Sequence, residues 1–142
     1  MKIIVLKFGG TSVGSIQRIK KVSKIIKSYS KKYRVIVLSS AMSGTTNRLI
    51  NMSKKISENF PDNEYDVLVS AGEQISCSLL AGHLAANGLN SRSWMAWQIP
   101  IVTEGKHKYS RIKYINKTKI LKFLKSGGIP ITVSYTHLRA HE

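Results

Sequence analysis

Two short runs of apolar residues, each followed by small residues and then by a helix-like pattern, set the architecture of this chain. The first is Ile3-Ile4-Val5-Leu6, the body of a strand predicted over residues 2–6 that runs toward Gly9-Gly10. Apolar, largely β-branched residues without polar alternation read as a buried strand. Ser15 then offers an oxygen to cap a helix, and Ile16, Ile19, Val22, Ile25 and Ile26 recur at helical spacing through residues 16–32. Val35 to Leu38 make a second apolar strand, Ser39 to Asn47 a small-residue loop, and Leu49 to Ile56 another helix. Strand, small-residue loop and helix, occurring twice, predict a parallel sheet with crossover helices. In such a sheet ligands bind at the C-terminal ends of the strands.

After the turn residues 59-NFPDN-63, the segment 65–88 reads as a long helix stopped by Gly88, with Val67, Ser70, Ala71, Gln74, Cys77, Leu80 and Leu84 on or near one face. A strand Val67 to Val69 breaking at Gly72 is the alternative that periodicity leaves open. Residues 92–102 look like one strand with Pro100 near an edge. Ile120, Leu121 and Leu124 mark a short helix, Gly127-Gly128 end it, and Ile129 to Ile131 begin a last strand. There is no internal repeat and no low-complexity tract.

With 142 residues the chain is one domain or a piece of one. Its 23 Lys and Arg against 7 Asp and Glu give a net charge of +16, which would suit a polyanion. The excess is chiefly lysine, dispersed through helical stretches at Lys20, Lys21, Lys24 and Lys27 and again in 117-KTKILKFLK-125. That dispersion reads as a solvated basic surface without a dedicated nucleic-acid or membrane partner; a basic binding module would cluster arginine among aromatic residues. Cys77 is the single cysteine, which excludes an internal disulfide and a cysteine-based metal site and fits a reducing cytoplasm. The apolar run near the N-terminus is too short for a signal-peptide core or a membrane span.

Three segments carry residues suited to chemistry. In 6-LKFGGTSVG-14 a glycine pair lets backbone N–H groups approach an anion, Lys7 adds a mobile positive charge, and the helix that follows is expected to aim its N-terminus at the same place. A plain tight turn is the bland reading. The second segment, 39-SSAMSGTTN-47, presents Ser39, Ser40, Thr45 and Thr46 with Gly44 on what should be the same sheet edge. Hydroxyls and backbone donors there suit a second anionic group, or simply cap a helix. In 69-VSAGEQIS-76, Glu73 is one of few carboxylates in a basic chain; it could bind a substrate ammonium group, or pair with a lysine on a helix face.

KFGGTSVG, then SSAMSGTTNRL, then VSAGEQIS resemble, in order and spacing, the aspartate kinases of the amino acid kinase family; 101-IVTEGKHKYSRI-112 and GGIPI extend the likeness over residues 1–131. The resemblance implies an α/β fold, a parallel-sheet αβα sandwich of the amino acid kinase (carbamate kinase-like) type. It implies ATP and Mg2+ as cosubstrate and cofactor, L-aspartate as acceptor and 4-phospho-L-aspartate as product, the first step toward lysine, threonine and methionine. Lys7, Phe8, Gly9, Gly10 and Ser40 would then hold the ATP phosphates, with Lys7 catalytic, and Thr46 and Glu73 would hold the acceptor. No protein side chain would ligate a metal. The parent protein would be a cytoplasmic homo-oligomer. Relatives with another acceptor, such as acetylglutamate, glutamate 5- or uridylate kinases, share the fold but resemble VSAGE and SAMSGTTN less.

The family also carries a later glycine-rich segment resembling GRGGSD, a nucleotide-base half and regulatory ACT domains, and the 142 residues contain none of these. The reading is therefore an N-terminal part of the catalytic domain over residues 1–131, truncated partway and expected to be poorly soluble and inactive alone. Residues 132–142 are expected to be a non-native tail. The last ten, VSYTHLRAHE, translate a nucleotide string resembling the end sequence and adapter of transposon-based sequencing libraries, and the bases before it would complete the codon of Thr132. His137 and His141 are accordingly not ligands, and neither His83 nor His107 has a partner at metal-ligand spacing. Arg111 could reach an anionic substrate or lie on the surface. Trp94 and Trp97 are expected to pack in the core or at a strand edge, and Cys77 to be buried.

Overall fold

The computed structural model describes residues 2–106 and 110–134. Strand β1 (Ile3–Phe8) leads into helix α1 (Ile16–Ser30), which crosses over to β2 (Arg34–Ser39). Helices α2 (Thr45–Ile56) and α3 (Asp62–Ala86) follow, then β3 (Ser91–Trp94), a hairpin of β4 (Ile101–Glu104) and β5 (Arg111–Ile115), helix α4 (Thr118–Lys125) and β6 (Ile129–Val133). The main sheet has the order β1-β2-β6-β3, and every pairing in it is parallel. Helices cover both of its faces, the three-layer α/β arrangement expected.

One face carries the main core. Ile19, Val22 and Ile26 of α1 and Cys77, Leu80, Ala81 and Leu84 of α3 pack on Val35, Val37, Ile129, Ile131 and Val133, with Ile4, Leu6 and Phe8 of β1 at the margin. Because side chains alternate along a strand, Trp94 points to the opposite face, where it packs with Ile99 and Ile120 and sets its ring 5.6 Å from that of Phe123. On β1 that face is bare, with Ile3 and Val5 more than half exposed. Among the described residues no helix is long and apolar enough to cross a membrane.

Local signals explain most boundaries. Ser15 caps α1 by accepting from the Arg18 N–H at 3.2 Å. Gly88, at a φ of 79°, ends α3 through N–H bonds from Gly88 to the Ala85 carbonyl and from Leu89 to the Leu84 carbonyl.

Several expectations are corrected. The first strand runs on through Lys7 and Phe8, and the second helix starts at Thr45, so Thr45, Thr46 and Asn47 are helical. Segment 62–86 is helix throughout, which removes the strand alternative, but its buried face is Glu73, Ser76, Cys77, Leu80 and Leu84, whereas Val67 and Ser70 are exposed. The single strand over 92–102 is two strands separated by a turn that contains Pro100. Trp94 is buried but Trp97 is 66% exposed. Beyond Ile131, Thr132 and Val133 continue β6, paired with Leu38 and Ser39, while residues 135–142, with His137 and His141, lie outside the described residues, as does His107.

Candidate functional site

At the C-terminal ends of β1 and β2 the chain makes two turns that interlock. After Phe8, the Ser12 N–H bonds back to the Gly9 carbonyl at 2.9 Å, so the backbone folds sharply over the glycine pair. After Ser39, the Ser40 N–H donates to the Phe8 carbonyl at 3.0 Å and the Ser43 N–H to the Gly10 carbonyl at 3.0 Å. Gly10 is what lets these backbones meet: a Cβ there would stand 2.7 Å from the Ala41 carbonyl oxygen. Gly9 has nothing near the corresponding position and faces open space. The glycine pair thus divides its work, one residue packing the loops and the other leaving backbone accessible.

Helix α3 closes the third side. Gly72 lets it approach, because a Cβ there would lie 3.0 Å from the Ala41 Cβ and 3.3 Å from the Thr45 Cγ2. The next residue, Glu73, is only 9% exposed.

Between the three segments lies a cavity of about 330 Å³, lined by Lys7, Gly9 and Gly10, by Ser40, Ala41, Met42, Ser43, Gly44, Thr46 and Asn47, and by Glu73. Six of the seven residues expected to form a site therefore share one space. Phe8 does not line it: its ring packs against the main core, leaving its carbonyl to anchor Ser40. The helix N-terminus at the cavity belongs to α2, which contributes Thr46 and Asn47, and not to α1, none of whose residues lines it. Gly44, at a φ of 81°, starts α2 without a side-chain cap, and no acid lies in its first turn. Asn47 and Ser43 are lining residues that the sequence reading passed over; the small-residue run around Gly44 was the signal that could have found them.

Electrostatically the cavity lining is mixed. Lys7 and the N-terminal turn of α2 favour anionic groups; the buried Glu73 carboxylate favours a cation. Behind it, burial pushes the Cys77 thiol up from 9.0 to about 12, against a hydrogen bond with Ser76 that lowers it, and the Glu73 charge adds to the rise. Cys77 is packing and not a nucleophile. Arg111 lies exposed on β5, and His83 on α3 faces Asn87; neither lines the cavity. Among the described residues no three His, Cys, Asp or Glu side chains gather as a metal site.

The model of the amino acid kinase family matches residues 2–142. The chain belongs to that family. This amino acid kinase chain is 44% identical over 136 residues to an aspartokinase of Geobacillus stearothermophilus, a match that covers 95% of the chain and 33% of the relative. It superposes on the crystal structure of aspartate kinase from Synechocystis with a TM-score of 0.77 at 32% identity, covering 97% of the chain and 23% of that one. E. coli aspartokinase III in complex with aspartate and ADP shares the fold, with a TM-score of 0.80 at 18% identity over 95% of the chain and 41% of its own. The chain spans about a third of the length of the curated relatives it matches.

Proposed function

We propose that this chain is the N-terminal part of an aspartate kinase and contributes the phosphate and acceptor contacts of the active site. The observation that carries the reading is the convergence of Lys7, Gly9, Gly10, Ser40, Thr46 and Glu73, from three separated segments, on one cavity. The aspartokinase relatives point the same way, as does the aspartate and ADP held by the E. coli protein of the same fold.

In the reaction a β-carboxylate oxygen of L-aspartate attacks the γ-phosphorus of ATP, a P–O bond forms, the bond to the β-phosphate oxygen breaks, and ADP leaves. The attacking carboxylate is ionised near neutral pH, so no protein base is required. Lys7 neutralises charge gathering on the transferred group, and the open backbone at Gly9 admits its oxygens. Thr46 and the α2 N-terminus hold an acceptor carboxylate, while Glu73 takes the ammonium group. The residues fit Mg2+ poorly, since among the described residues Glu73 is the one carboxylate in the cavity lining; a metal here would be carried by phosphate oxygens, and no step above runs through it. From the coding pattern alone we infer that residues 132–142 are a non-native tail, of which Thr132 and Val133 occupy the end of β6, and phosphoryl transfer by the chain alone is not expected.

Titration of the 15N-labelled chain with ADP and with L-aspartate tests this. ADP should shift the amides of Lys7 to Gly10, and L-aspartate those of Ser40 to Asn47 and Glu73. Absence of a saturable shift with either ligand overturns the proposal.

A further inference from the structure

We propose that Ser76 is a positioning residue, setting the Ser40 loop between the segment that carries Lys7 and the helix that carries Glu73. The inference deepens the kinase reading and takes its functional meaning from it.

Ser76 is fully buried, one helical turn after Glu73. Its Oγ lies 2.6 Å from the Ser40 carbonyl oxygen, 3.1 Å from the Glu73 carbonyl and 3.4 Å from the Ser39 Oγ. A hydroxyl has one proton. The shortest contact claims it, so Ser76 donates to Ser40, and its lone pairs are left for Ser39. Ser39 in turn offers Ser40 only a longer contact, 3.3 Å to the same carbonyl.

The backbone of Ser40 is therefore held from two directions. Its N–H is fixed to Phe8, next to Lys7, and its C=O to Ser76, next to Glu73. The peptide so clamped leads into Ala41, whose carbonyl abuts Gly10 and whose Cβ abuts Gly72. Rotation of that peptide would change the spacing of all three walls at once. A buried carbonyl without its donor is free to seek another by such a rotation. Ser76 is absent from the lining and touches it only through the backbone carbonyls of Ser40 and Glu73.

Amide hydrogen exchange on the 142-residue chain, expressed with a cleavable solubility partner, tests this without any ligand. In Ser76→Ala the Ser40 and Ser43 amides, which bridge the two loops, should exchange roughly ten-fold faster or more, while amides within β2 and β6 keep their rates. Ser39→Ala, which spares the short contact, should leave the Ser40 and Ser43 rates within about two-fold of wild type. If Ser76→Ala does not fold, Ser76→Cys replaces it; its weaker donor should give the same selective loosening to a smaller degree. Unchanged rates at Ser40 and Ser43, or equal acceleration throughout the sheet, overturn the proposal. Titration of wild type, Ser39→Ala and the Ser76 variant with L-aspartate then reads the functional consequence. Weaker binding in the Ser76 variant alone is expected, and equal affinity in all three overturns the link to the site. A wild-type chain that binds nothing while the exchange pattern holds refutes the kinase reading and leaves the clamp standing.

Discussion

The backbone of Gly10 lies so near Ala41 that a methyl group on it would stand 2.7 Å from the Ala41 carbonyl oxygen. That oxygen belongs to a loop held by Phe8, Gly10 and Ser76, and cannot retreat as a flexible side chain would. Gly10→Ala should therefore cost about 1–3 kcal/mol of stability by overpacking. Gly9→Ala, whose new methyl meets nothing within 4 Å, is the paired comparison and should change stability by less than about 1 kcal/mol. Chemical denaturation of both variants checks the difference.

Lys7→Met keeps most of the side-chain length and removes the charge. Loss of one charge-assisted contact should weaken a non-hydrolysable ATP analogue about ten- to a hundred-fold with little loss of stability, because Lys7 is exposed in the free chain. A titration with that analogue by calorimetry reads this directly, and equal affinities would remove Lys7 from the phosphate site.

Glu73→Gln should separate the effects on the two ligands. L-Aspartate affinity should fall by about ten-fold or more, since the ammonium group loses its counter-charge, whereas ADP affinity should be unchanged or rise. Parallel titrations with the two ligands make the comparison, and an equal loss for both would move Glu73 from the acceptor to a general structural role.

Cys77 gives a prediction in pH. Its thiol titrates near 9.0 when unfolded and near 12 when folded, so between these values the folded chain holds the extra proton. Stability contributed by the neutral buried thiol is fully present below pH 9 and declines as pH rises toward about 12, with a slope of up to about 1.4 kcal/mol per pH unit. Denaturation melts from pH 8 to 10 on wild type and Cys77→Ala isolate it. The native thiol should also resist alkylation at pH 8 and react once denaturant is added.

What was legible in the sequence is what backbone sterics enforce. A buried parallel strand has to end in a turn, and small residues such as Gly9, Gly10 and Gly44 mark where two turns approach closely. Lys7 and the hydroxyl group Ser39, Ser40, Thr45 and Thr46 are read from their places beside them; only the resemblance to the aspartate kinases singles out Ser40 and Thr46 among the four and lifts Glu73 above a helix-face glutamate paired with a lysine. The phase of α3 was not legible, because apolar residues lie all around that helix and Val67, Ile75 and Leu79 are exposed although as apolar as Leu80. The hairpin was missed because Arg111–Ile115 is exposed along its whole length, so no alternation of burial imprints its sequence. Which helix aims its N-terminus at the cavity depends on how the loops cross, and neither Ser15 nor Gly44 carries that information.

The order β1-β2-β6-β3 bears on how the chain comes off the ribosome. The last strand is interior: it joins Val37 on one side and Ser93 on the other through Ile131. Until β6 emerges, β1, α1 and β2 can assemble as a local unit, but β3 has no partner in the sheet. Folding of this sheet must therefore wait on a contact between distant parts of the chain, with the unpaired backbone edge of β2 exposed to chaperones in the interval.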